Sequence, residues 1–296
     1  MAQKDLKSRI GSVKNIQKIT RAMEMVAAAR LRRAEQRIEH LRPYAGAIRR
    51  MTRQAAAAAE NIPSLPILQE HEQVRRVGLV FVTGDRGLAG AFNSQILRAG
   101  LRAAAEHAGE GREIAYYASG KRGVSSLTFR GLDLSGRYTG FTDRPGYANA
   151  REIAEDVMAA YVDGHLDEVE ILYNGYISPL TQEVRRETLL PLQHATILEE
   201  ADGEEGDAAH HALVEYEPDP EQILHRLIPD YVEISVYRAL LESTASEHGA
   251  RMTAMRSASD NAGELIESLT LQMNRARQAE ITQEIMEVVA GAEALG

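Results

Sequence analysis

The chain has 296 residues and a 44% hydrophobic composition, enough apolar surface for a sizeable core in one or two domains. It contains no Cys, which excludes a disulfide framework, a thiolate metal site and a cysteine nucleophile and suits a reducing compartment. The formal charge of -9 is unevenly spread: residues 1–53 hold fourteen Lys/Arg against four Asp/Glu, and the remainder is acidic, so the amino-terminal arm calls for an acidic partner.

From Ala27 the apolar or small positions fall at Leu31, Ala34, Ile38, Leu41, Ala45 and Ile48 in alternating steps of 4 and 3, a heptad seam. Upstream, Leu6, Ile10, Val13, Ile16, Ile19, Met23 and Val26 read as its continuation. A helix from about residue 3 to 59 would be roughly 85 Å long. Pro43 should bend it.

The middle of the chain changes character. Residues 76–83 (RVGLVFVT) form a β-branched run that ends in a Gly-rich turn, Gly84 to Gly90, and leads into a helical stretch at 91–107. This is the opening of a βαβ unit. Residues 113–118, 169–173 and 183–190 read as further strands and 146–161 as a helix, so the fold class is α/β with a mostly parallel, Rossmann-like sheet. The acidic, apolar-poor stretch from Glu199 to His211 reads as an exposed loop, in which His210 and His211 are better explained as surface residues than as metal ligands.

The carboxyl-terminal part returns to the seven-residue repeat: Leu241, Ala245, His248, Met252, Met255, Ser259, Ala262, Ile266, Leu269, Met273 and Ala276 are spaced 4, 3 throughout. Pro218, Pro220 and Pro229 mark the approach to a helix expected from about Asp230 to Ala292, roughly 95 Å if straight. The simplest way to bury both seams is against each other, as one long antiparallel, left-handed coiled coil. Three parts follow: an amino-terminal coiled-coil helix at 1–60, a central α/β domain at 61–217 and a carboxyl-terminal coiled-coil helix at 218–296.

Catalytic motifs are absent. Gly84, Gly87 and Gly90 are spaced G-x-x-G-x-x-G, which is neither the dinucleotide fingerprint nor a P-loop, and Gly120-Lys121 is followed by Arg122 instead of a hydroxyl residue. No H-E-x-x-H or G-x-S-x-G occurs. No cofactor or metal is expected. No apolar run approaches the ~20 residues of a membrane-spanning helix, and the first residues show no export signal.

Both ends resemble the gamma subunits of F-type ATP synthases, in the stretch from Leu6 to Ala29 (LKSRIGSVKNIQKITRAMEMVAAA) and in that from Asn274 to Ile285 (NRARQAEITQEI). The turn Thr83-Gly84-Asp85-Arg86-Gly87-Leu88-Ala89-Gly90 is similar too. The resemblance implies a non-catalytic central rotor shaft, standing inside a ring of alpha and beta subunits with its α/β domain against the epsilon subunit and the c-subunit ring. Such a shaft couples proton-driven rotation of the ring to ATP synthesis at the beta subunits and regulates ATPase activity and proton flow. By the same resemblance Lys18, Arg21 and Met23 face acidic loops of the beta subunits, Arg277, Gln278 and Thr282 contact a loop higher in the ring, and Tyr216 lies near the c ring. The absence of a cysteine-bearing insertion and of a transit peptide implies a bacterial type, peripheral on the cytoplasmic face of the inner membrane, with no nucleic-acid partner. Competing readings are a coiled-coil module whose basic arm binds nucleic acid, with steep salt dependence, and a nucleotide-dependent enzyme built on the central sheet.

Overall fold

The computed structural model describes residues 3–58, 65–69, 71–192 and 220–293. In chain order its elements are α1 (Gln3–Ala58), a 3-10 turn (Pro66–Leu68), β1 (Arg76–Val82), α2 (Phe92–Gly109), β2 (Glu113–Ser119), α3 (Lys121–Phe129), β3 (Leu134–Tyr138), α4 (Tyr147–Val162), β4 (Glu168–Tyr176), β5 (Gln182–Leu190) and α5 (Pro220–Glu293). Contacts divide the chain into two compact units, one of Met1–Ala29 with Arg251–Gly296 and one of Arg30–Ala250.

The larger unit is built on a five-stranded sheet of order β3-β2-β1-β4-β5. Its first three neighbour pairs are parallel, and β5 returns antiparallel beside β4. Strand β1 reads as an unbroken apolar run because both of its faces are covered. Val77, Leu79 and Phe81 pack with Ile96 and Ala103 of α2 and Leu127 of α3. Val80 and Val82 point the other way, to Ile153 and Val157 of α4 and Val232, Val236 and Leu240 of α5. The chain leaves β1 toward α2 on one face and reaches β4 through α4 on the other, so the sheet is doubly wound, with its switch point between β1 and β4.

Two elements carry no periodic signal and were not expected. Helix α3 has only nine residues, interrupted by Gly123, Ser125 and Ser126, and β3 has five with Gly136 at its centre. Tertiary packing of Leu127 and Tyr138 holds them in place, since both side chains are buried.

One helix boundary differs from expectation. Helix α5 begins at Pro220 and runs through Pro229, ten residues before Asp230. A proline in the first turn costs no backbone hydrogen bond. The interior Pro229 costs ~3 kcal/mol, which the full burial of Leu224 and Ile228 offsets at about 1.5–3 kcal/mol each. Pro43 lies within α1, as expected.

In the smaller unit α1 and α5 run antiparallel. Leu6 and Ile10 pack on Leu269 with Val13, Ile266 and Met273 around them, Thr20 meets Ser259, and Glu24 meets Arg256. The expected α5 seam is found in this unit: Met255, Ser259, Ala262 and Leu269 are buried at their places in it. The upstream α1 stripe is a correction. Ile16, Ile19 and Val26 are 53%, 59% and 53% exposed, and the heptad from Leu6, Ile10 and Val13 passes instead through Gln17, Thr20 and Glu24 to Ala27. Consecutive steps of 3 fall short of a helical turn, so Ile19 lies about 180° around the helix from Ile10. The geometry of the repeat prevails over the polarity of its residues.

Gly100 sets the spacing of α2 on β1. A Cβ there would lie 2.0 Å from the ring of Phe81, which is fully buried. Gly100→Ala is therefore expected to destabilise by about 1–3 kcal/mol in urea unfolding, outweighing the ~1 kcal/mol that Ala gains over Gly in a helix. An unchanged midpoint would show that this glycine does not set the distance.

Candidate functional site

The Gly-rich turn after β1 is organised by the side chain of Asp85. Its Oδ1 accepts the backbone N–H of Lys121 at 3.0 Å, and its Oδ2 accepts the N–H groups of Gly140 and Thr142 at 2.9 and 3.2 Å and the Thr142 hydroxyl at 3.1 Å. One carboxylate thus ties the end of β1 to the start of α3 and to the loop after β3. Partial burial works to raise its pKa, but the hydrogen bonds from Gly140, Lys121 and Thr142 outweigh it and hold the carboxyl below its ordinary 3.8. The N–H groups of Gly84 and Asp85, which a phosphate cradle would present to its anion, donate to Asn93 Oδ1 and Thr142 Oγ1, each at 2.8 Å. Gly120 stands at φ 91 with a prospective Cβ 2.2 Å from the Thr83 carbonyl oxygen, a place only glycine fits.

Helix α5 is joined to this end of the sheet by short hydroxyl side chains. Ser243 Oγ donates to the Val82 carbonyl at 3.4 Å, Thr244 Oγ1 to the Thr142 carbonyl at 3.0 Å and Ser246 Oγ to the Asn174 carbonyl at 3.0 Å. Further along α5, Glu242 meets Arg185 at 3.2 Å, Arg238 meets Glu187 at 2.6 Å, and Glu233 accepts the Tyr147 hydroxyl at 2.6 Å. Burial raises the Glu242 carboxyl above its ordinary range, although Arg238 and Arg185 oppose it. Helix α1 enters the same unit through Arg30, 2.8 Å from Asp143, and through Glu35, which accepts the Tyr176 hydroxyl. The arrangement holds two helices to a sheet through directional polar contacts.

The residues singled out from the sequence lie elsewhere. Lys18 and Arg21 are exposed on α1 and Met23 is half-buried; Arg277, Gln278 and Thr282 are exposed on α5, with the Thr282 hydroxyl donating to the Gln278 carbonyl at 2.9 Å. The two groups are not brought together. Ser259 lies opposite Thr20, so Arg277 is about 24 Å farther along α5 than the residues facing Lys18. Tyr216 and the stretch Glu199 to His211 lie outside the described residues.

Sequence reasoning missed Asp85 as a hub and Ser243, Thr244 and Ser246 as a joint. A signal was present: Ser243, Thr244, Ser246 and Gly249 put small, weakly helix-forming residues at mid-helix positions, where tertiary contacts must hold the helix.

Asp85→Asn is expected to lower stability by about 1–2 kcal/mol at pH 7, the lower part of the range for hydrogen bonds to a charged group because Asp85 is only partly enclosed. Its folded carboxyl is depressed, so this contribution is complete above the ordinary 3.8 and is lost as pH falls through the lower folded value. Urea unfolding of both chains across pH should show the difference closing at acid pH; a pH-independent difference would contradict this assignment.

The ATP synthase family model matches residues 2–295 of the chain. The ATP synthase gamma chain of Rubrobacter xylanophilus is 45% identical over 292 residues, covering 99% of this chain and 98% of that one. The ATP synthase gamma chain of Moorella thermoacetica is 44% identical with the same coverage. Among solved structures, a chain from the central stalk and c ring of the Tetrahymena thermophila mitochondrial ATP synthase matches with a TM-score of 0.59 at 27% identity, over 81% of this chain and 99% of that one. A chain from the rotor of the Euglena gracilis mitochondrial ATP synthase shares the fold, with a TM-score of 0.66 at 19% identity over 94% of this chain and 98% of that one. With identity above 40% along nearly its whole length, the chain belongs to the ATP synthase gamma chain family.

Proposed function

We propose that this chain is the central rotor shaft of a proton-translocating F-type ATP synthase. It is a non-catalytic subunit that couples rotation of a c-subunit ring to ATP synthesis at the beta subunits, and it regulates ATPase activity and proton flow through the complex. The observation that carries this reading is the surface of the smaller unit. Ile16, Ile19, Met25 and Val26 on α1 and, farther along, Ile281, Ile285, Met286, Val288 and Val289 on α5 are all exposed, two groups of apolar side chains that an assembly would cover. No helix among the described residues is long and apolar enough to cross a membrane. On the rotor reading the protein is a peripheral subunit, held through the epsilon subunit and the c ring at the cytoplasmic face of a bacterial inner membrane.

A shaft can shift a beta subunit between open and closed states only by touching the two differently. In this reading Lys18 and Arg21 attract acidic loops of the beta subunits, and half-buried Met23 supplies adaptable packing beside them. Arg277, Gln278 and Thr282 offer an exposed polar group farther along α5 for a second loop of the surrounding ring of alpha and beta subunits. Tyr216 is assigned to the neighbourhood of the c ring on family resemblance alone. In chain order we read 1–60 and 218–296 as the shaft helices and 61–217 as the domain that meets the epsilon subunit, with the compact unit Arg30–Ala250 drawing the inner parts of both helices onto that domain.

Purification of the complex from membranes should yield this chain with alpha, beta and epsilon subunits in fixed proportion; recovery of the chain alone in the soluble fraction would refute the assignment. Met23→Lys adds a cation beside Lys18 and Arg21. It should lower proton-driven ATP synthesis severalfold in an assembled complex while leaving subunit stoichiometry intact, and normal coupling would remove Met23 from the mechanism.

A further inference from the structure

In doubly wound sheets a ligand enters the crevice at the carboxyl ends of the two strands where the winding reverses, and the glycine-rich turn after the first strand receives its phosphate. Here those strands are β1 and β4, and the crevice is closed by the chain's own helix. Ser243 caps the end of β1 through the Val82 carbonyl, and Ser246 reaches β4 through the Asn174 carbonyl. Glu247 follows Ser243 by one turn on the same side of α5. It is 1% exposed, and its carboxylate stands so close to the Gly-rich turn that a Cβ on Gly84 would lie 2.8 Å from its Cδ and from both of its oxygens. A carboxylate of the chain thus occupies the neighbourhood where this architecture takes an anion.

We propose that Glu247 is an internal ligand of the Gly84 turn, and that it fixes the rotational phase of α5 against the α/β domain so that helix and domain turn together. Apolar packing sets the distance between a helix and a sheet but is non-directional and lets the helix roll. The hydroxyls of Ser243, Thr244 and Ser246 are directional but short and singly weak. A buried carboxylate packed so closely on Gly84 that even a methyl group there would clash with it resists rolling in both senses, because either rotation drives it into backbone or strips it of its surroundings. Glu247 is therefore a positioning residue for coupling, and that part of the proposal rests on the rotor reading.

The test uses Glu247→Ala, Gly84→Ala and the double variant, each in the full chain and in the complete complex reconstituted into vesicles. In the full chain, amide hydrogen exchange at the turn from Gly84 to Gly90 should speed up at least tenfold in Glu247→Ala. In the complex, gradient-driven synthesis relative to hydrolysis should fall severalfold per assembled complex for Glu247→Ala and further for Gly84→Ala. The double variant should return to the Glu247→Ala level, since the added methyl then fills the vacated space. A merely stabilising residue would lower assembly and leave that ratio unchanged. Unchanged exchange in Glu247→Ala overturns the proposal, as does a wild-type coupling ratio in that variant or losses that multiply in the double variant. If exchange speeds up while the complex with the unmodified chain makes no ATP under a gradient, the rotor reading fails and the internal-ligand assignment stands.

Discussion

From Val232 to Gly249, α5 has no exposed residue, and this enclosure constrains the α/β unit around it. A helix buried on every side cannot choose one apolar stripe; each position must match whatever lies opposite. Toward the sheet these are Val232, Val236, Ala239 and Leu240. Toward the strand ends they are Ser243, Thr244 and Ser246, whose hydroxyls reach the carbonyls of Val82, Thr142 and Asn174. The acids in the same stretch are matched in turn: Glu233 by Tyr147 and Glu242 by Arg185 and Arg238. Leaving one of them without its partner would expose the full cost of a buried charge.

The smaller unit answers a different constraint. Two helices that bury only one side each need their register specified, and a purely apolar seam would allow a slip of one heptad. Here the Thr20 hydroxyl lies 2.6 Å from that of Ser259, and Gln17 donates to the Ser259 carbonyl at 3.2 Å. A slip of seven residues would set Thr20 against Ile266 or Met252 and leave these groups unmatched. The polar middle of the seam costs apolar burial and gains a defined alignment.

These two arrangements suit the two tasks of a shaft. Where α5 meets the α/β domain, apolar packing on the sheet is joined at the strand ends by short, directional polar contacts, as a joint that resists twisting requires. Where α1 and α5 stand only against each other, large apolar side chains and cations remain outside. The Gly-rich turn belongs to the first task. Side chains of the chain itself surround it: Asn93 and Thr142 accept its N–H groups, Asp85 ties it to neighbouring loops, and Glu247 lies against Gly84.

The heptad of α5, the β-branched β1 run and the helix, sheet, helix order were legible in the sequence, because each depends on a repeat or propensity that local residues carry. The family was legible in the motifs at both ends and in the turn from Thr83 to Gly90. The α1 seam at Gln17, Thr20 and Glu24 was not, because the apolar residues beside it suggested a stripe that the helix geometry rotates away. Nor were α3, β3, the hub at Asp85 or the place of Glu247, since these follow from contacts between residues 36 to more than 100 apart in sequence. Periodicity belongs to the sequence alone; which polar side chain meets which backbone end exists only once the sheet has brought those ends together.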